Sequence, residues 1–385
     1  MRELITEDFA PLAADLDERV AAIPGYAAQL AVYHRGELVL SHTAGDYLSG
    51  EAVTGIYSVS KGLAALVIGL LVQEGKLDPD VVVSQYWPEF AAAGKGALTV
   101  GELLSHQAGL LGIPGGVPEA VLLDSRKYAA LLAEIPSYWP LGQQIVGYHS
   151  LSMGALMEEL VRRVSGEELQ DIFERRIRRP LDVDVYLGQP EQLEERYRPT
   201  QLINTPDTFF DPFSLSGMSL NSRAGFNVPE SRKHGQAGLL AWATTPQVRR
   251  VGPASLGGVA NAQGLAAVFA ASFGPVPELG VERGLLNAET WSQVSRERVF
   301  GADRISGKAQ SFALGFAKGT PGNDYGSIFA YGHGGANSSL AFADPAHHLA
   351  FAYLPSGPEG EVATTTGVLL SQHARQLLNA RKAKS

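Results

Sequence analysis

A chain of 385 residues, 45% hydrophobic and 18% charged, holds ample apolar material for a large core, which excludes intrinsic disorder as a class. Its formal net charge is −9, and its positive residues are scattered apart from FERRIRRP (173–180) and the closing ARKAKS, so it lacks the dense basic footprint that a nucleic-acid partner requires. It has no cysteine, which removes disulfides, thiolate catalysis and cysteine-based metal sites, and its longest apolar run, Leu63 to Val72, is too short to span a bilayer.

The opening MRELITEDFAPL is acidic and mixed rather than basic then apolar, so the expectation is a cytoplasmic protein without a secretory signal. The first predicted element is a helix over 4–22, where Ile5, Phe9, Leu12, Leu16, Val20 and Ile23 recur three or four apart. AAQLAVYHRGELVLSHTAG reads as two strands about an Arg35-Gly36 turn. A helix follows over 60–74, with Gly75 placed to stop it in a left-handed conformation. In LTVGELLS (98–105), Thr99 and Glu102 have the spacing of a capping box. Glycines and prolines mark a loop over 108–119, and helical periodicity resumes over 120–134, 151–165 and ELQDIFERRIRRPL. The stretch 184–260 reads as a loop-rich lobe. Helices over 262–272 and 282–298, strands over 311–317, 337–344 and 348–354, and a helix over 362–382 complete the chain. This order predicts an α+β fold whose sheet is built from both chain ends. One domain comprises 1–60 and 290–385; a mainly helical one, 61–289, is inserted between them.

Three segments carry chemistry. In GIYSVSKG (55–62), Ser58 and Lys61 are three apart and share a helix face. A serine hydroxyl needs a base, and a lysine serves as one only where its surroundings lower its pKa; the mouth of an apolar helix offers that desolvation. Ser60 is the local rival, but it would face another way. Tyr148-His149-Ser150 precedes a strong helix, and a phenol beside Lys61 can carry protons, a cationic neighbour favouring phenolate. YGHGGANSS (331–339) has glycines that let backbone amides approach an oxyanion.

Other constellations are weaker. His106 in LLSHQAGL would suit a Ser-His-Asp triad, but no G-x-S-x-G is present, and a core role is the better reading. His347 and His348 are adjacent and so point apart on a strand, and no helical metal-ligand pair occurs. SLGGVANAQG (255–264) lacks the context of a dinucleotide site and reads as a loop near the cleft. No metal or cofactor is expected.

Together the three segments resemble the signature motifs of the serine β-lactamase and penicillin-binding-protein superfamily: S-x-x-K at Ser58 to Lys61, the Tyr-x-Asn type at Tyr148 to Ser150, and the Lys-Thr-Gly type at His333, Gly334 and Gly335. LLSHQAGL and VRRVSGEEL (161–169) are similar to the class C-like branch, and within it the chain is most similar to family VIII carboxylesterases. The resemblance implies a β-lactamase/transpeptidase-like α/β sandwich with an antiparallel sheet. It also implies Ser58 as acyl-enzyme nucleophile, Lys61 and Tyr148 sharing the proton work, and the amides of Ser58 and Ala336 as oxyanion hole. Ser150 replaces the usual asparagine and His333 the usual lysine, which weakens recognition of an anionic amide but not attack on a neutral ester. The expected substrate is therefore a small or medium carboxylic ester. The alternatives are β-lactamase or D-amino-acid peptidase/amidase activity, or a non-catalytic binding protein retaining the fold. A homo-oligomer is compatible with the sequence. Expected pocket residues are His149, Ser150, Leu110, Phe209, Phe210 and Phe213.

Overall fold

The two chain ends meet in the middle of one sheet. The computed structural model describes residues 2–203, 210–221, 235–358 and 361–382. Strands β1 (Leu4–Ile5), β2 (Ala27–His34), β3 (Glu37–Ala44), β4 (Tyr331–Gly334), β5 (Leu340–Asp344) and β6 (Leu349–Pro358) lie in the order β1-β3-β2-β6-β5-β4, with every neighbour antiparallel. The central pairing is β2 with β6, from Ala27 opposite Ser356 to His34 opposite Leu349. A two-residue strand, Leu202–Ile203, runs parallel beside Gly357 and Pro358. The β2–β3 hairpin turns through Arg35 and Gly36, both at positive φ, the backbone that suits the right-handed twist of paired strands. Gly36 also has no room for a side chain, since a Cβ there would lie 2.1 Å from the Pro275 carbonyl oxygen.

The central strands alternate by size rather than by polarity, since both faces of the sheet are buried. Leu349, Phe351 and Tyr353 of β6, with Leu30 and Val32 of β2 and Phe342 of β5, form one core with helix α1 (Ala10–Ala21) and the terminal helix α5 (Glu361–Lys382). The opposite face presents Ala350 and Ala352, with Ala31, Ala341 and Ala343, to the second core, where helices α2 (Val59–Gln73) and α4 (Ala262–Phe273) pack. Alanines on the sheet and on α4 (AQGLAAVFAASF) allow close approach, and α4 is buried along most of its length. Helix α3 (Ser152–Ser165) lies in the helical lobe against α2 and ends at Gly166 in the left-handed conformation. The fold is thus α+β, an antiparallel sheet with helices on both faces and a helical lobe. Among the described residues no helix is long and apolar enough to cross a membrane.

Several expectations change at element ends. Leu4 and Ile5 are strand rather than helix, because β3 offers a free edge and they pair with Ser41 and Leu40; periodicity alone cannot see that edge. The helix over 120–134 is two helices, divided where the Asp124 carboxylate caps Ser125–Glu134 by accepting from the Lys127 amide. The helix over 282–298 contracts to Ala288–Ser295, capped by Asn287, and the chain continues into a hairpin of Val299–Ala302 with Ala309–Phe312. Of the strand expected over 311–317, Ser311 and Phe312 pair within the hairpin and Ala317 forms isolated bridges to Phe312 and Gly332. The capping box at Thr99 and Glu102 is present.

Because Ala352 is fully buried against the α4 side, Ala352→Leu is expected to lower the unfolding free energy by about 1–3 kcal/mol, measured by urea denaturation. An unchanged midpoint would mean that α4 does not seat closely on the sheet.

Candidate active site

The turn into α2 presents Ser58. Tyr57 adopts a positive φ of 47°, a conformation that a bulky residue rarely takes and that persists where its surroundings hold it. Ser58 then caps α2, yet its hydroxyl makes no capping hydrogen bond and stays partly exposed. Lys61 Nζ lies 3.2 Å from Ser58 Oγ and donates to the Ser255 carbonyl at 2.7 Å. Helix α2 is buried from Val59 to Leu71, so this amine is shut away from water, and burial brings it down to about 7. Ser60 is occupied elsewhere: its hydroxyl donates to the Tyr57 carbonyl and accepts from the Gly258 amide at 2.9 Å. Gly62 lets α2 lie close to β4, since a Cβ there would already lie 3.2 Å from Phe269 and 3.5 Å from His333 Cβ.

Tyr148 comes from the segment before α3. Lys61 Nζ sits 5.1 Å from the centre of its ring, and its hydroxyl faces the Ser58 side chain, which acts on its pKa. The backbone around it is clamped from two sides: its amide donates to Asp303 Oδ1 at 2.7 Å and its carbonyl accepts from Ser219 Oγ at 3.0 Å. Burial raises the phenol pKa; the Ser58 side chain opposes this, and Tyr325 and Asp303 add to it. The expectation of a phenolate favoured by a cationic neighbour is corrected here. Desolvation acts on both partners, so the stable pair is a neutral phenol beside a readily neutralised amine.

The third segment is the end of β4 and the turn after it. His333 Nδ1 is 2.7 Å from the Gly334 carbonyl, which can only accept, so the ring proton is on Nδ1 and Nε2 carries the lone pair. Burial pulls this imidazole down to about 3, with the Lys61 charge acting in the same direction, so it is neutral at pH 7. Gly335 packs so tightly that a Cβ would lie 2.1 Å from Ser339 Oγ and 2.7 Å from the Ile56 carbonyl. Asn337 Nδ2 donates to the Gly55 carbonyl at 3.2 Å, and Ser339 Oγ to that of Ile56 at 3.2 Å, tying this turn to the residues just ahead of Ser58. Among the described residues neither the Ser58 nor the Ala336 amide has an acceptor, and both residues face one cleft.

That cleft, of about 530 Å³, is lined by Ser58, Tyr148, Ser150, Phe210, His333 and Ala336, among others. A larger groove between Ser295 and Phe329 contains none of these groups. Three pocket expectations fail. Leu110 is fully buried in the core, its amide donating to His149 Nε2 and its carbonyl accepting from Ser152 Oγ. His149 is itself buried, with Nδ1 on the Gly147 carbonyl, and burial takes it down to about 4; it braces two loops rather than facing substrate. Phe213 is 69% exposed and lies over Gly115, outside the cleft. Phe209 lies outside the described residues. His106 is a buried acceptor for the His149 amide, in keeping with the core reading. Among the described residues no cluster of acidic and histidine side chains could hold a metal ion.

The chain matches the Beta-lactamase family model over residues 12–374 and belongs to that family. EstA from Arthrobacter nitroguajacolicus Rue61a superposes with a TM-score of 0.91 over 99% of both chains, at 38% identity. A family VIII carboxylesterase superposes with a TM-score of 0.81, over 98% of this chain and 99% of its own, at 25% identity. Esterase/beta-lactamase LipL of Mycobacterium tuberculosis is 29% identical over 311 residues, 79% of this chain and 69% of LipL. The chain is a serine hydrolase of the β-lactamase family.

Asp303, Ser219, Ser255, Asn337 and Ser339 were not singled out from sequence as contributors to the site. Their contacts run through backbone groups far away in the chain, and the sequence signals were the loop over 255–264 read as lying near the cleft and the polar run after the glycines of the third motif.

With the amine near 7, only its neutral form can accept a proton, so reaction is lost as pH falls through that value. The rate of fluorophosphonate labelling at Ser58, followed by intact mass, is expected to rise about tenfold per pH unit below 7 and to level above it. A flat profile from about pH 5 to 9 would exclude Lys61 as base.

Proposed function

We propose that the chain is a serine carboxylesterase that hydrolyses small or medium neutral esters through an acyl-enzyme on Ser58. The observation that carries this reading is the buried Lys61 amine, at about 7 and 3.2 Å from Ser58 Oγ, next to a third motif whose side chain is a neutral imidazole. Neutral Lys61 takes the Ser58 proton as Oγ attacks the ester carbonyl, and the free amides of Ser58 and Ala336 receive the oxyanion. The tetrahedral intermediate collapses, Tyr148 passes its phenolic proton to the departing alkoxide, and the Lys61 ammonium reprotonates Tyr148. Water then attacks the acyl group, giving up its proton to Lys61, and Ser58 leaves with that proton as the acid is released.

Selectivity follows from charge. A β-lactam or D-peptide brings a carboxylate, and His333, held neutral by burial, offers it no positive charge. We also read 1–60 with 290–385 as one domain and 61–289 as the other, a division under which the cleft draws Ser58 and Ala336 from the first and Tyr148 and Ser150 from the second.

The deciding measurement is kcat/KM on p-nitrophenyl butyrate against a chromogenic cephalosporin, with the ester expected to lead by about tenfold or more. A cephalosporin preference of that size would make the chain a β-lactamase, and no turnover of either with no adduct at Ser58 would make it a binding protein. Tyr148→Phe and Lys61→Ala are each expected to lower kcat by a factor of about 10² or more. Near-wild-type turnover in either would remove that residue from the proton path. His333→Lys is expected to raise kcat/KM on carboxylated esters relative to neutral ones; an unchanged ratio would refute the charge argument.

A further inference from the structure

Glu158 lies on α3, is not among the residues lining the cleft, and takes no part in the proton transfers above. Its side chain is buried at 5% exposure, and its Oε1 accepts from the Ala254 amide at 2.8 Å. The next residue in the chain is Ser255, whose carbonyl holds Lys61 Nζ at 2.7 Å. One turn before Glu158, Gly154 closes the same contact from the other side: a Cβ there would lie 2.4 Å from the Ser255 amide nitrogen. Residues 254 and 255 are therefore pressed against α3 by one hydrogen bond and by the lack of a side chain at 154. Both are buried.

The orientation of that carbonyl has a chemical consequence. A neutral amine has two N–H bonds and one lone pair. With one N–H directed at the Ser255 carbonyl, rotation about the last bond of Lys61 is restricted and the lone pair can be held toward Ser58 Oγ. If the carbonyl drifts, the amine turns and the lone pair leaves the hydroxyl. Among the described residues the groups around the amine are Ser58, the Tyr148 ring, His106, His149 and His333, none of which is an anion. Around Glu158 are Arg162 on its own helix and Ser125 and Gln170 on neighbouring ones. Burial raises the carboxyl pKa, but accepting from the Ala254 amide requires only a carbonyl-type oxygen, present in either protonation state.

We propose that Glu158 is a positioning residue for proton transfer at Ser58, fixing the Ser255 carbonyl and through it the direction of the Lys61 amine. The proposal rests on the reading of Lys61 as base. It also gives α3 two tasks, since the chain enters that helix just after Tyr148.

The experiment is steady-state hydrolysis of p-nitrophenyl butyrate between about pH 5 and 9.5 by Glu158→Ala, Gly154→Ala and Glu158→Gln, with folding checked by circular dichroism. Glu158→Ala and Gly154→Ala are expected to lower kcat at pH 7 by about 10- to 100-fold with KM changed less than about twofold. In both, a loosened segment admits water to the amine, so the acidic limb moves up in pH and part of the loss is recovered near pH 9. Glu158→Gln, whose amide oxygen can still accept, is expected to stay within about threefold of wild type. The proposal is overturned by a folded Glu158→Ala with kcat within about twofold of wild type, or by losses in both variants with the limb unmoved, which would mark a purely structural role. If Glu158→Ala does not fold, Gly154→Ala decides by the same criteria. Failure of the esterase reading is separate, because wild type would then hydrolyse no ester; the variants would be compared by their rates of fluorophosphonate labelling, with the same fall expected.

Discussion

A lysine amine held without water at the mouth of an apolar helix is the constraint around which this molecule is arranged. Burying an ammonium without a counter-ion is costly, and the protein meets that cost by letting the group lose its charge near neutral pH. Everything around Lys61 serves the same end. Helix α2 is apolar on all sides, the nearby imidazoles of His106 and His333 are themselves kept neutral by burial, and the polar partners at Nζ are the Ser255 carbonyl and the Ser58 hydroxyl. A carboxylate in this place would hold the amine charged and end its use as a base.

That constraint also explains why the site is assembled from so many distant segments. An apolar helix cannot supply its own polar contacts, so they arrive from other segments: the backbone carbonyl of Ser255 for the amine, those of Gly55 and Ile56 for the turn that carries Ala336, and the side-chain carboxylate of Asp303 for the Tyr148 amide. Backbone acceptors are short and stiff, and they transmit position well. Glycines at 62, 154 and 335 mark the places where two segments must come closer than a side chain would allow.

The balance between what could and could not be read in advance follows the same logic. Ser58, Lys61, Tyr148 and His333 were legible because their chemistry demands particular side chains at particular spacings, and the three segments recur in order along the chain. The hairpin at Arg35-Gly36 and the capping box at Thr99 were legible because their determinants are local. Leu4 and Ile5 were not, since their pairing depends on an edge formed by residues some way along the chain. Leu110 and Phe213 were misplaced because an apolar loop residue can equally face core, cleft or solvent, and composition does not distinguish these. The protonation state of Tyr148 was misjudged for a related reason: a sequence shows which charges exist, not how far each is removed from water.

The pairing of β2 with β6 joins the early and late parts of the polypeptide at the centre of the sheet, with β4 two strands further out. Such a topology is built from contacts of long sequence separation, which form late in folding. During synthesis the hydroxyl of Ser58 leaves the ribosome long before Ala336 and the strands that position it. Ser58 and Ala336 can share a cleft only once early and late strands have paired, so the complete site depends on segments from both parts of the chain.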